Sequence, residues 1–172
     1  MANLILIGPM GAGKTSVGRA LANRLQRPFF DSDREIEARC GVDIPTIFEF
    51  EGEEGFRNRE SRIIEELTAE ADIVLATGGG AVLRESNREH LSARGHVILL
   101  SVELKEQLRR VSRDSKRPLL ADTDPEATLK QLWEARSPLY RSIANVEVAT
   151  DSRRMLHVVN RILKHLKTND LI

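Results

Sequence analysis

Short apolar runs alternate along the chain with amphipathic stretches. Leu4-Ile5-Leu6-Ile7, Ile73-Val74-Leu75-Ala76 and Val97-Ile98-Leu99-Leu100 are unbroken and β-prone, the pattern of strands covered on both faces in a parallel sheet. Pro28 to Asp33 reads as a further short strand ending in carboxylates at Asp31 and Asp33, alternate positions that share a face of the strand. Val146-Glu147-Val148-Ala149 reads as the fifth.

The stretches between them have helical spacing. Lys14 to Leu25 carries Val17, Leu21 and Leu25 on one stripe. Asp33 to Arg39 is helical and stops at Gly41; Ile44 to Phe48 starts another helix, with Pro45 in its first turn. The segment Phe50 to Phe56, with Gly52 and Gly55, reads as a hinge before a long helix from about Glu54 to Glu70. Arg84 to Ala93 is helical and closed by Gly95, and Glu103 to about Arg113 follows the fourth strand. Asp124 and Pro125 are the N-cap and first residue of a helix carrying Leu129, Leu132 and Trp133, with Arg136 to Tyr140 near its end or across a kink. An amphipathic helix from about Ser152 to Leu166 completes the chain. This alternation predicts a three-layer α/β/α fold with ligands at the carboxyl ends of the strands.

The 172 residues, 41% of them hydrophobic, suit one domain with its own core. Lys plus Arg equals Asp plus Glu at 26 each, so no global field favours nucleic acid or a membrane and any anion site must be local. No apolar run is long enough for a spanning helix and the first residues lack a signal-peptide pattern, so the expected compartment is the cytoplasm. The single cysteine, Cys40, reads as a partly buried helix thiol. His90, His96, His157 and His165 show no ligand spacing and read as structural or surface residues.

The chemistry begins directly after the first strand. Gly8-Pro9-Met10-Gly11-Ala12-Gly13-Lys14-Thr15 fits G-x-x-x-x-G-K-[ST] at every fixed position, between a strand and a helix. Glycines let successive N–H groups turn inward around an anion, and the following helix presents its positive end to the same point. Lys14 would then reach the outer phosphates of a nucleotide and the Thr15 hydroxyl would serve Mg2+, which prefers hard oxygen donors.

A phosphate cradle does not separate a kinase from a nucleotide-driven switch. The N-K-x-D base reader of a guanine-specific switch is absent. A kinase needs a base for the acceptor hydroxyl and cations to spread transition-state charge. Asp33 is the candidate base and Asp31 the candidate for holding the metal's water shell; the alternative is that Ser32 or Asp33 caps the next helix. Arg57 and Arg136 are candidates to fork onto an acceptor carboxylate, or to form helix-face ion pairs, with Glu53 and Glu60 within reach of Arg57. Thr77-Gly78-Gly79-Gly80 permits close approach at the sheet edge. Arg117, in the polar, basic-rich loop from Asp114 to Thr123, is either a mobile group that closes over the γ-phosphate or a solvated charge.

Together, GPMGAGKT, FDSD (Phe30 to Asp33), FRNRE (Phe56 to Glu60), TGGG (Thr77 to Gly80), RPLL (Arg117 to Leu120) and RSPLY (Arg136 to Tyr140) resemble the shikimate kinase family, in order and across essentially the whole chain. The resemblance implies a P-loop fold of the nucleoside-monophosphate-kinase type with strand order 2-3-1-4-5, a single domain over 1–172, a shikimate-binding region at about 33–61 and a lid at about 112–124. It implies MgATP-dependent phosphorylation of the 3-hydroxyl of shikimate, in aromatic amino-acid biosynthesis, by a monomer. On this resemblance Gly11, Ala12, Gly13, Lys14, Thr15 and Ser16 hold ATP, with Arg117 in the lid and Arg110 and Arg153 at the adenine. Asp33 binds substrate hydroxyls and acts as base, Arg57 and Arg136 clamp the carboxylate, and Glu60 orients Arg57. Gly79 and Gly80 offer backbone contacts, and Phe48 and Phe56 wall the pocket. Thr15 and, through water, Asp31 serve Mg2+. The competing enzyme reading is a kinase for another polyol acid such as gluconate; the non-enzyme reading is an ATP-driven interaction module.

Overall fold

The structure, a computed structural model, describes residues 2–112, 124–151 and 155–172. Five parallel strands, β1 (Asn3–Ile7), β2 (Phe29–Asp31), β3 (Val74–Ala76), β4 (Gly95–Val102) and β5 (Val146–Thr150), form one sheet in the order β2-β3-β1-β4-β5. The helices are α1 (Lys14–Leu25), α2 (Ser32–Cys40), α3 (Ile44–Ala69), α4 (Glu85–Arg94), α5 (Leu104–Val111), α6 (Pro125–Ile143) and α7 (Met155–Thr168). A 3-10 turn at Ala81–Leu83 follows β3.

Both faces of the sheet are buried, which is why its central strands read as unbroken apolar runs. Ile5, Ile7, Leu75, Val97 and Leu99 point to one side and pack with α2, α3, α4 and α6. Leu4, Leu6, Val74, Ile98, Leu100 and Val148 point to the other and pack with α1 and α7. All ten central positions among these are at most 1% exposed.

Several local expectations match and some are corrected. Asp43 caps α3 by accepting from Thr46 N at 3.1 Å, with Pro45 in the first turn. The hinge is at Gly52, whose φ of 67° breaks α3 into two helical segments, a conformation open to glycine at no steric cost. Asp124 caps α6, and that helix continues past Pro138 to Ile143. The expectation that Asp31 and Asp33 share a strand face fails: β2 ends at Asp31 and α2 begins at Ser32. The physical reason is the cap. Asp31 itself, rather than Ser32 or Asp33, accepts from Asp33 N at 3.1 Å and Arg34 N at 3.4 Å, satisfying first-turn donors that would otherwise be orphaned. Gly95 follows α4 directly and is already extended as the first residue of β4, paired with Asn3.

Candidate active site

β1, β2 and β3 end side by side, so the turns that follow them share one edge of the sheet. The turn after β1 is the phosphate loop. Gly11 and Gly13 have φ of 76° and 90°, which aims consecutive N–H groups inward. Lys14 folds back over the loop, its Nζ donating to Gly8 O at 2.7 Å and Pro9 O at 2.8 Å. Thr15 Oγ1 donates to Asp31 Oδ2 at 2.6 Å, joining the β1 and β2 turns. From β4's side, Gln107 Nε2 donates to Met10 O at 2.8 Å and Arg110 Nη1 to Gly11 O at 3.0 Å. Arg110 is itself held by Glu106, one turn earlier, at 2.8 Å, and reaches Asp151 O at 2.8 Å. A cleft of about 320 Å³ lies here, lined by Gly11, Gly13, Lys14, Thr15, Ser16, Asp31, Asp33, Gly78, Gly79 and Arg110, among others. Ala12 is 1% exposed and its methyl packs into the core.

The turn after β3 joins this cleft to a second group of charges. Gly78 N donates to Ser32 Oγ at 3.1 Å. A methyl group on Gly78 would press against Asp33 Oδ1 at 2.7 Å and Glu60 Oε1 at 3.1 Å. On Gly79 it would meet Met10 N at 3.4 Å, Arg136 Nη1 at 3.6 Å and Gly8 O at 3.6 Å. On Gly80 it would overlap the Arg57 guanidinium. The absence of side chains on these three residues is therefore what lets Asp33, Glu60, Arg57 and Arg136 close around one loop, with the phosphate loop on its other side.

The electrostatics of this group are unusual. Arg57, buried on α3, donates to Glu60 Oε2 at 2.6 Å and pairs with Glu53 at 3.4 Å. Its guanidinium also lies 5.1 Å from the centroid of the Phe56 ring, which stacks on Phe48 at 4.9 Å. Glu60 is wholly buried, and burial raises its pKa against the pull of Arg57, Arg136 and Arg84. Burial, with Glu60 and Asp31 nearby, pushes the Asp33 carboxyl up to about 7 against the pull of Lys14 and Arg57. Asp33 Oδ1, Glu60 Oε1 and Arg57 Nε are shut off from solvent with no hydrogen-bond partner. Buried polar atoms are nearly always paired, so three unpaired ones in one cluster mark this as a candidate functional site.

The family model described as shikimate kinase matches residues 10–167. The chain is 57% identical over 168 residues to a shikimate kinase of Thioalkalivibrio sulfidiphilus, covering 98% of this chain and 88% of the relative. It superposes on a shikimate kinase from Acinetobacter baumannii in complex with shikimate with a TM-score of 0.97 at 47% identity, covering 100% of this chain and 96% of the other. The chain belongs to the shikimate kinase family. A gluconokinase from Sinorhizobium meliloti, 16% identical with a TM-score of 0.58 over 98% of this chain and 97% of its own, shares the fold alone.

Shikimate kinase motifs account for most of what meets here. Lys14, Thr15, Asp31, Asp33, Arg57, Arg136, Gly79 and Gly80, drawn from positions 14 to 136, gather at one sheet edge. Phe56 lies beside Arg57, and Phe48 packs on Phe56. Arg117 and Arg153 lie outside the described residues, as does most of the lid region. Sequence reasoning missed Tyr140, Gln107, Glu106 and Arg84. Only the i, i+4 spacings of Glu106 with Arg110 and Arg136 with Tyr140 could have signalled two of them. It also missed that His96 and His165 meet across β4 and α7, Nε2 to Nε2, at 3.3 Å.

Proposed function

We propose that the chain transfers the γ-phosphoryl group of ATP to the 3-hydroxyl of shikimate, giving shikimate 3-phosphate and ADP in aromatic amino-acid biosynthesis. One observation carries the reading: a buried pair of arginines, a carboxyl group tuned near neutrality and a phosphate cradle are joined at Gly78–Gly80. The forked donors of Arg57 and Arg136 suit an acceptor carboxylate, and the Acinetobacter baumannii relative was solved in complex with shikimate.

In this mechanism the backbone of Gly11 to Thr15, with Ser16 and Lys14, receives the phosphates. Lys14 exchanges its bonds to Gly8 O and Pro9 O for phosphate oxygens and supplies positive charge as the loose transition state forms. Arg110 and Arg153 flank the adenine, and Arg117, within a lid at about 112–124, closes over the phosphates. Arg57 and Arg136 fork onto the acceptor carboxylate, Gly79 and Gly80 bind it through their backbone, and Phe48 and Phe56 wall the region at about 33–61. Asp33 orients the acceptor hydroxyl and takes its proton; a carboxyl group held near 7 suits a proton acceptor at neutral pH better than an ordinary one. Thr15 Oγ1 and Asp31 Oδ2, two hard oxygens 2.6 Å apart on the cleft wall, fit Mg2+, with Asp31 acting through water. When bound there, Mg2+ neutralises charge on the β- and γ-phosphates.

We infer a monomer, and the small polar substrates fit a cytoplasmic enzyme. Among the described residues no helix is long and apolar enough to cross a membrane. The test is a coupled assay of ADP release with purified protein, ATP, Mg2+ and either shikimate or gluconate. Turnover is expected with shikimate and not with gluconate. Nucleotide hydrolysis indifferent to shikimate would overturn the reading.

A further inference from the structure

Tyr140 has no part in the chemistry assigned so far, yet it occupies the joint of the site. It is 1% exposed and sits on α6 one turn after Arg136, its ring 6.2 Å from that of Trp133. Packing alone would be served by phenylalanine. The hydroxyl instead donates to the Gly79 carbonyl, and the Arg136 guanidinium lies beside the same glycine. A carbonyl can only accept, so the hydroxyl is the donor. Burial pushes its pKa up to about 12, so the hydroxyl keeps its proton well beyond the neutral range.

The consequence lies in the peptide that follows. In a trans peptide the C=O and N–H point in opposite directions, so holding Gly79 C=O on Tyr140 fixes the direction of Gly80 N–H. Gly80 is packed against Arg57 and Gly79 against Arg136 and the phosphate loop. One hydroxyl thus sets the orientation of a backbone donor that lies against the two clamp arginines.

We propose that Tyr140 is a positioning residue for the acceptor, its hydroxyl pinning the Gly79–Gly80 peptide, which lies against Arg57 and Arg136, in the arrangement that receives the acceptor's carboxylate. This rests on the acceptor assignment under Proposed function. It differs from a core role because it requires the hydroxyl, not the ring.

The test uses Tyr140→Phe in the full chain, with Trp133→Leu as a packing control. In Tyr140→Phe the KM for shikimate is expected to rise about 3- to 10-fold, the worth of one net hydrogen bond. The KM for ATP and kcat should stay within about twofold, and the thermal midpoint should fall by no more than about 4 °C. Trp133→Leu should lower the midpoint while leaving the shikimate KM in place. An unchanged shikimate KM in Tyr140→Phe, a parallel rise in both KM values, or an equal shikimate effect from Trp133→Leu would overturn the proposal. Calorimetric titration of shikimate into parent and Tyr140→Phe protein gives the same comparison without turnover. A parent that binds shikimate without phosphorylating it therefore counts against the function alone.

Discussion

The two halves of the cleft meet at Gly79 but are built differently. On the nucleotide side, the polar groups already have partners: Lys14 on two loop carbonyls, Thr15 on Asp31, Arg110 on Gly11 and Asp151. On the acceptor side, Asp33, Glu60 and Arg57 each keep a buried polar atom with none. The first half is a local loop whose shape its own backbone stabilises, and ligand binding there exchanges one set of bonds for another. The second is a cage of charges from α2, α3 and α6 whose burial together carries a desolvation cost. That cost is also what lifts Asp33 toward neutrality, so the instability and the chemistry have one cause.

The contrast can be broken by substitution, and the largest effect belongs to the proposed base. Asp33→Asn should fold and bind ATP yet lose about 10²- to 10⁴-fold in kcat; near-parental turnover would place the base elsewhere. Next, Arg136→Lys keeps the charge but loses the fork, and the shikimate KM should rise about 10- to 100-fold with the ATP KM little changed. Steady-state kinetics on both substrates decides it, and an unaltered shikimate KM would make Arg136 structural.

A third prediction reads the stored cost directly. The Asp33 carboxyl loses its proton near 3.8 when unfolded and near 7 in the ligand-free fold. Between those values the folded state binds more protons than the unfolded one, so this group makes stability fall as pH rises from about 4 through 7 and level off above. Asp33→Asn cannot ionise and should be more stable than the parent at pH 8, by about 1–3 kcal/mol, with the difference gone near pH 4. Urea unfolding of ligand-free protein at pH 4, 6 and 8 measures this; a variant less stable than the parent at pH 8 would mean that Asp33 is paired rather than frustrated. The smallest effect falls on the satisfied side: Arg110→Ala should raise the ATP KM about 3- to 10-fold and leave shikimate untouched. A change in the shikimate KM there would show that the two halves are coupled beyond Gly79.

Much of this was legible before any coordinates. Leu4 to Ile7 and Val97 to Leu100 announce buried strands because both of their faces meet helices. Asp124-Pro125 and Gly52 mark a helix start and a break because their backbone preferences act within a few residues. Asp31 shows where such reading fails. Its alternation with Asp33 looks like a strand, but its carboxylate caps α2 and leaves Asp33 in the first helical turn. The cap competes successfully because it satisfies N–H groups that a continued edge strand would have exposed.

What the chain determined by itself is the phosphate loop, the succession of strands and helices, and the residue types at the site, since each depends on a window no longer than a few turns. Which carboxylate would be starved of partners, and which hydroxyl would hold Gly79, depended on contacts such as Gly78 with Ser32, 46 positions apart, and Tyr140 with Gly79, 61 apart. Burial and its electrostatic consequences belong to the packed whole: desolvation is set by what every neighbouring element covers, and no short stretch of sequence carries that information.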